Sequence, residues 1–129
     1  MPKKKPAPAI IHFSTINQLK PAIDCPSADR SLGIPPQRTT WEAYSGEKEA
    51  LSIGEWECEP GAWRITFHPH RHEFFHVLSG RLRLINADGQ ATDFGPGEAG
   101  VIPAGFTGVF EVVEAVRKRY VMFDKPSKR

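Results

Sequence analysis

The sequence predicts an all-β fold, a barrel or sandwich of short strands, and three observations carry that prediction. No stretch shows an amphipathic helical repeat of ordinary length. After Trp41 the chain breaks into short runs rich in branched and aromatic residues, many alternating with period two. Glycine and proline punctuate those runs at regular intervals. Many short strands at even spacing are the mark of β-sandwiches and barrels.

In chain order, residues 1–9 are rich in proline and lysine and are expected to be a disordered basic tail. Residues 10–40 are expected to form an N-terminal edge strand and loops. Ile10, Ile11, Phe13, Ile16 and Leu19 supply apolar positions for an edge strand and a short turn or helix over 10–23. Pro26, Gly33, Pro35 and Pro36 make 24–40 a loop. The barrel is expected over 41–124, with strands near 51–58, 62–68, 73–79, 81–86, 90–94, 99–102, 108–113 and 117–123. Turns are expected at Pro60-Gly61, Gly80, Asp88-Gly89, Gly95-Pro-Gly97 and Pro103-Ala-Gly105. Residues 125–129 close the chain as a second basic tail.

At 129 residues the chain makes one domain with a real core. Its formal charge of +2 is misleading. Lys3, Lys4, Lys5, Lys125, Lys128 and Arg129 lie in the tails, leaving 11 basic against 14 acidic residues between 6 and 123, a body near −3. Without a basic face, nucleic-acid binding is not expected. The apolar runs are too short for a transmembrane helix, so no membrane association is expected. The N-terminus carries no secretory pattern, and a cytoplasmic location follows as an expectation. Cys25 and Cys58 are too far apart for a zinc ribbon and make no disulfide framework. Cys58 reads as a small packed residue, with a reactive thiol as the alternative.

Four of the five histidines fall within nine residues, in His68-Pro-His70-Arg-His72-Glu73-Phe-Phe-His76. Such density points to a metal, a proton-transfer site or a polar pocket. His72-Glu73-Phe-Phe-His76 matches H-E-x-x-H, the zinc-peptidase motif, in letters. That motif works on a helix, where residues four apart share a face. Here Pro69 stands upstream and an alternating run follows. On a strand, residues four apart lie about 13 Å from each other and cannot share an ion.

Five pieces, in order, resemble a known family. They are Trp56-Glu-Cys58-Glu-Pro60-Gly61, Glu73 followed six residues later by Gly80, Asp88-Gly89, Pro103-Ala-Gly105-Phe, and Val116-Arg117-Lys118-Arg119-Tyr120. Over about 41–123 the chain resembles the single-domain cupins grouped with ureidoglycine aminohydrolase and the ethanolamine-utilisation protein EutQ. Gly97 to Gly105 resembles the start of the second cupin motif. The resemblance implies a conical double-stranded β-helix (cupin, or RmlC-like jelly roll), a pocket in its mouth, and commonly a homodimer.

In metal-binding cupins three histidines and a glutamate hold the ion, and here the resemblance is incomplete. Counted from Gly61, the first motif's histidine positions are Phe67 and Pro69. The second motif's histidine and asparagine positions are Gly108 and Val112. Glu73 keeps the family's glutamate position. In a regular strand Trp63, Ile65 and Phe67 face inward, and His68 faces out. A β-bulge before His68 would instead turn His68 and His70 inward, with His72 or His76 in the fourth place. The candidate ligands are therefore His68, His70, Glu73, His72 and His76, for Zn, Ni, Fe or Mn. The alternative is a polar rim of imidazoles. Trp56, Trp63, Phe75 and Phe106 read as core or pocket wall. Arg117 and Arg119 share a solvated face, and an inward Lys118 could bind an anion.

The expected function is binding of a small polar metabolite in the barrel mouth, through a divalent metal or without one. Hydrolysis or isomerisation is the reaction class if the protein is an enzyme. A non-catalytic ligand-binding module and an interaction subunit that pairs through edge strands are the alternatives.

Overall fold

Two long strands organise the molecule, β5 (Arg71–Asn86) and β8 (Thr107–Asp124), paired antiparallel along most of their length. The structure is a computed structural model that describes residues 6–124. Each long strand was expected as two. Gly80 does not end β5; it bends it. The pairing shifts register between Val77 and Leu82, and Gly80 sits at φ +81°. A Cβ there would stand 2.0 Å from the Ala115 carbonyl oxygen, so the two strands cross too closely for any side chain. The hydrogen-bonded ladder continues around the corner, and each strand serves both faces of the barrel.

The shorter strands pair with the two halves. β1 (Ala22–Asp24) lies on β2 (Arg38–Gly46), β2 on β3 (Leu51–Cys58), and β3 on the second half of β8. The first half of β8 pairs with β4 (Gly61–Thr66). The second half of β5 pairs with β6 (Ala91–Phe94), and its first half with β7 (Ala99–Ile102). This is an all-β cupin jelly roll. The strand that sequence patterning did not place is β2, whose first residues fall in the stretch expected as loop. Arg38 and Thr40 point to the interior cavity, so the inward face at the start of the strand is polar.

The core lies where the two faces meet. Phe75, Val77, Leu82, Ile102 and Val112 are fully buried, with Cys58, Trp63, Leu84, Phe110 and Val116 around them. Trp63 stacks on Phe110 at 5.0 Å, and Phe94 meets Phe75 edge-on at 4.9 Å. A 3-10 turn at Phe13–Gln18 is fastened to the outside of the barrel by buried Ile16 and by a hydrogen bond from Arg117 to Asn17. Beneath it, Arg117 lies 4.7 Å from the Trp41 ring. The buried Glu55 carboxylate accepts from both Arg117 and Arg119. Among the described residues, no helix is long and apolar enough to cross a membrane. Of the expected tails, 1–9 and 125–129, residues 1–5 and 125–129 lie outside the described residues.

Candidate functional site

Strand alternation sends one residue in two into a cavity of about 390 Å³. β8 contributes Phe110, Lys118, Tyr120 and Met122, β5 Arg71 and Glu73, and β3 Ser52 and Trp56. β4 contributes Trp63 and Ile65, with Phe67 just beyond it. At the buried end, Lys118 Nζ donates to Glu73 Oε2 at 2.6 Å. The two residues are 3% and 5% exposed. Neither charge would tolerate such burial alone; paired, each solvates the other. Aromatic rings complete the ammonium's surroundings, with Trp56, Phe75 and Phe110 centroids at 4.6, 5.0 and 5.1 Å from Nζ.

A second polar line runs along the wall from cavity to surface. Ser52 Oγ donates to Glu42 at 2.6 Å, which leaves its oxygen to accept from the Tyr120 hydroxyl at 3.0 Å. Burial pushes the Tyr120 phenol above its ordinary range, opposed by the Ser52 hydrogen bond and reinforced by Glu42 and Glu73. Tyr120 therefore stays a neutral donor. Two arginines also line the cavity. Arg71 grips Asp124 through Nε and Nη2 at 2.9–3.2 Å. Those hydrogen bonds hold the Asp124 carboxyl below its usual range. Arg38 grips Asp24 through two bonds of 2.9 Å and lies 5.4 Å from the Trp63 ring.

The structure scatters the residues that the sequence singled out. Glu73 alone enters the cavity. His68 and His70 sit in the turn between β4 and β5, where His68 is exposed and its Nδ1 accepts from the His70 backbone N–H at 3.2 Å. His72 and His76 lie on the outer face of β5, opposite to Glu73, because the strand alternates. β4 pairs with β8 without a register shift from Gly61 to Thr66, so Phe67 points inward and no bulge turns His68 with it. At the second motif, a Cβ on Gly108 would stand 2.1 Å from the Ile85 carbonyl oxygen, and Val112 is core. Among the described residues no three His, Cys, Asp or Glu side chains converge as metal donors. The donor set does not fit a divalent ion; the cation against Glu73 is Lys118.

Cys58 is packed, and burial pushes its thiol up to about 12. It remains protonated at neutral pH and is a poor nucleophile. The residues that sequence reasoning left out are Arg38, Arg71, Ser52 and Tyr120, all brought in by long-range pairing. Lys118 was readable as inward from apolar Val116 and Tyr120 on either side of it. Its partner, 45 positions away, was not.

The strand topology and the walled interior cavity define a cupin barrel. The chain belongs to the EutQ-like cupin domain family, whose profile matches residues 45–120. Solved structures agree. The EutQ protein of Clostridium difficile aligns at 25% identity and a TM-score of 0.60, covering 69% of this chain and 64% of that one. A protein of unknown function from Pseudomonas syringae, of the DUF861 family, aligns at 22% identity and a TM-score of 0.70, covering 81% of this chain and 43% of the other. A candidate ethanolamine utilization protein Q of Salmonella typhimurium aligns at 16% identity and a TM-score of 0.60, covering 84% and 98%. The chain thus spans under two thirds of the C. difficile protein and under half of the Pseudomonas one. No curated protein matches it.

Proposed function

We propose that this cupin binds a small polar metabolite in the barrel cavity, with the Lys118–Glu73 pair in place of a divalent metal as its polar anchor. The observation that carries the reading is that pair, 2.6 Å apart and buried against a cavity of about 390 Å³. A cavity of this size, in which aromatic and aliphatic walls carry several convergent polar groups, has the make-up of a small-molecule site. Lys118 offers donors, and Glu73 and the Tyr120 oxygen offer acceptors, while Trp56, Trp63 and Phe110 give the body of a ligand its apolar contacts. The same three polar groups are the ones available for proton transfer, should the ligand be a substrate.

The test is a tryptophan-fluorescence binding screen of small amides, ureides, amino acids and sugar derivatives on chelator-treated protein. The reading predicts saturable responses that Glu73→Gln and Lys118→Met abolish while circular dichroism stays unchanged. Responses equal in wild type and both variants contradict it.

We also propose a homodimer, supported by one feature of the outer face. Tyr44, Ile53, Val121, Phe74 and Val101 pair in a single row across five strands. Val101, Phe74 and Tyr44 are 61%, 48% and 46% exposed. Five strands make the row roughly 20 Å wide, suited to the apolar centre of an interface burying about 800 Å² per partner. A second copy matches it across a two-fold axis, row on row. Light scattering should give the mass of a dimer, and of a monomer for Phe74→Lys; a monomeric wild type contradicts the proposal.

A further inference from the structure

Beside the cavity runs a groove of about 340 Å³ that shares Arg38, Trp63, Ile65, Phe67 and Arg71 with it. Its own contribution includes two more arginines, Arg30 and Arg64, and no aspartate or glutamate lines it. The chain places them together. The segment following Pro26 lies along the edge of β4, with Leu32 N–H donating to Ala62 O at 2.8 Å and Arg64 N–H to Arg30 O at 2.9 Å. Ser31 bridges to Trp63 between those bonds.

The four arginines are not equivalent. Arg38 and Arg71 are held by Asp24 and Asp124. Arg30 and Arg64 form no ion pair among the described residues. Each spends one guanidinium N–H on a backbone carbonyl, Arg30 on Arg64 O at 3.4 Å and Arg64 on Asp29 O. Asp29 is the carboxylate whose charge Arg30 and Arg64 both feel. It is kept ionised first by hydrogen bonds from the Ser27 hydroxyl and its own backbone N–H, and it does not line the groove. Two guanidinium forks therefore border the groove with donors to spare. That chemistry suits an oxyanion, because a fork meets two oxygens of a carboxylate or phosphate at once.

We infer that the groove is an oxyanion subsite of the cavity, and that the ligand carries a carboxylate or phosphate group that docks between Arg30 and Arg64. This rests on the reading of the cavity as a ligand site and narrows its ligand to anionic metabolites. The oxyanion lies in the groove. The body spans Trp63, Ile65 and Phe67, which line both spaces. The far end reaches toward Lys118 and Glu73.

The probes are inorganic phosphate and glutarate, titrated into full-length protein in about 0.1 M chloride, where diffuse surface attraction is largely screened. Trp63 fluorescence and calorimetry supply the readouts. Saturable one-to-one binding of either probe is expected, weakened roughly tenfold or more in Arg30→Gln/Arg64→Gln. The charge-preserving Arg30→Lys/Arg64→Lys should recover only part of it, because an ammonium keeps the charge but not the fork, and Lys20→Met, which removes an exposed charge that lines neither space, should change it by less than about threefold. A melting curve on each variant separates lost binding from a loosened loop. Binding of glutarate alone selects a carboxylate ligand, binding of phosphate alone a phosphoryl one, and either upholds the subsite. Absence of saturable binding of both probes to wild type, or equal binding to the glutamine double variant, overturns it. Arginine-dependent phosphate binding stands even if no metabolite responds to Glu73→Gln or Lys118→Met; that result removes the cavity reading and leaves the groove.

Discussion

The two faces of β5 hold residues from one stretch of sequence and treat them in opposite ways. Glu73 points in, loses water and gains Lys118. His72 and His76, one and three residues away, point out and stay partly or fully in solvent. The contrast teaches that density of chemistry along a chain is not convergence in space. A period of two divides such a cluster between two environments, whereas a helix would have gathered His72 and His76.

The largest effect should come from breaking the inner face. Glu73→Ala leaves a buried ammonium without its partner and should cost about 3–5 kcal/mol in urea unfolding. The double variant Glu73→Leu/Lys118→Met should recover most of that loss, because it removes both charges together. Equal losses in the single and double variants would show that the pair is not coupled.

Bending comes next. Gly80→Ala must force a Cβ against the Ala115 carbonyl from a left-handed backbone, and at least about 2 kcal/mol should be lost in the same assay. No measurable loss would mean that the two strands can separate at this corner.

A thiol assay sharpens the comparison of inside with outside. Iodoacetamide at pH 8 should modify exposed Cys25 and leave buried Cys58 until the protein is denatured, as peptide mass spectrometry will show. Because folding raises the Cys58 thiol from 9.0 to about 12, its contribution to stability is complete below pH 9 and disappears as pH rises from there through 12. The acid side has the opposite sign. Asp124 is held below its ordinary carboxylate value by Arg71, so its contribution is present above that value and is lost as pH falls through the lowered one. Asp124→Asn should therefore flatten the acid limb of a stability–pH profile and leave the slope above pH 6 unchanged. The smallest effect belongs to the outer histidines, where His68→Ala/His72→Ala should stay within about 0.5 kcal/mol of wild type.

Much of the fold was legible because its signals are local. Alternation marked Trp63, Ile65 and Phe67 as one face, and Gly80, Asp88-Gly89 and Pro103-Ala-Gly105 marked the corners. The cavity inverted that logic in β2. Inward Arg38 and Thr40 turn polar side chains to the cavity, and a strand that starts with a polar inner face resembles a loop. Gly80 also misled, since a left-handed glycine can carry a ladder around a corner as readily as end it. Within the site, Glu73 was legible from its spacing to Gly80. The Lys118 partnership, the Ser52–Tyr120 line and the meeting of Arg30 with Arg64 depend on pairings 34 to 68 residues apart, which no local pattern encodes.

In the proposed site the cation against Glu73 is Lys118 rather than a divalent metal. Elemental analysis of untagged protein, reconstituted with Zn, Ni, Mn and Fe(II) and compared with His70→Ala/Glu73→Ala, tests it most directly. The account predicts no near-stoichiometric metal that depends on those two residues. Near-stoichiometric metal in the wild type, lost in the double variant, would contradict it.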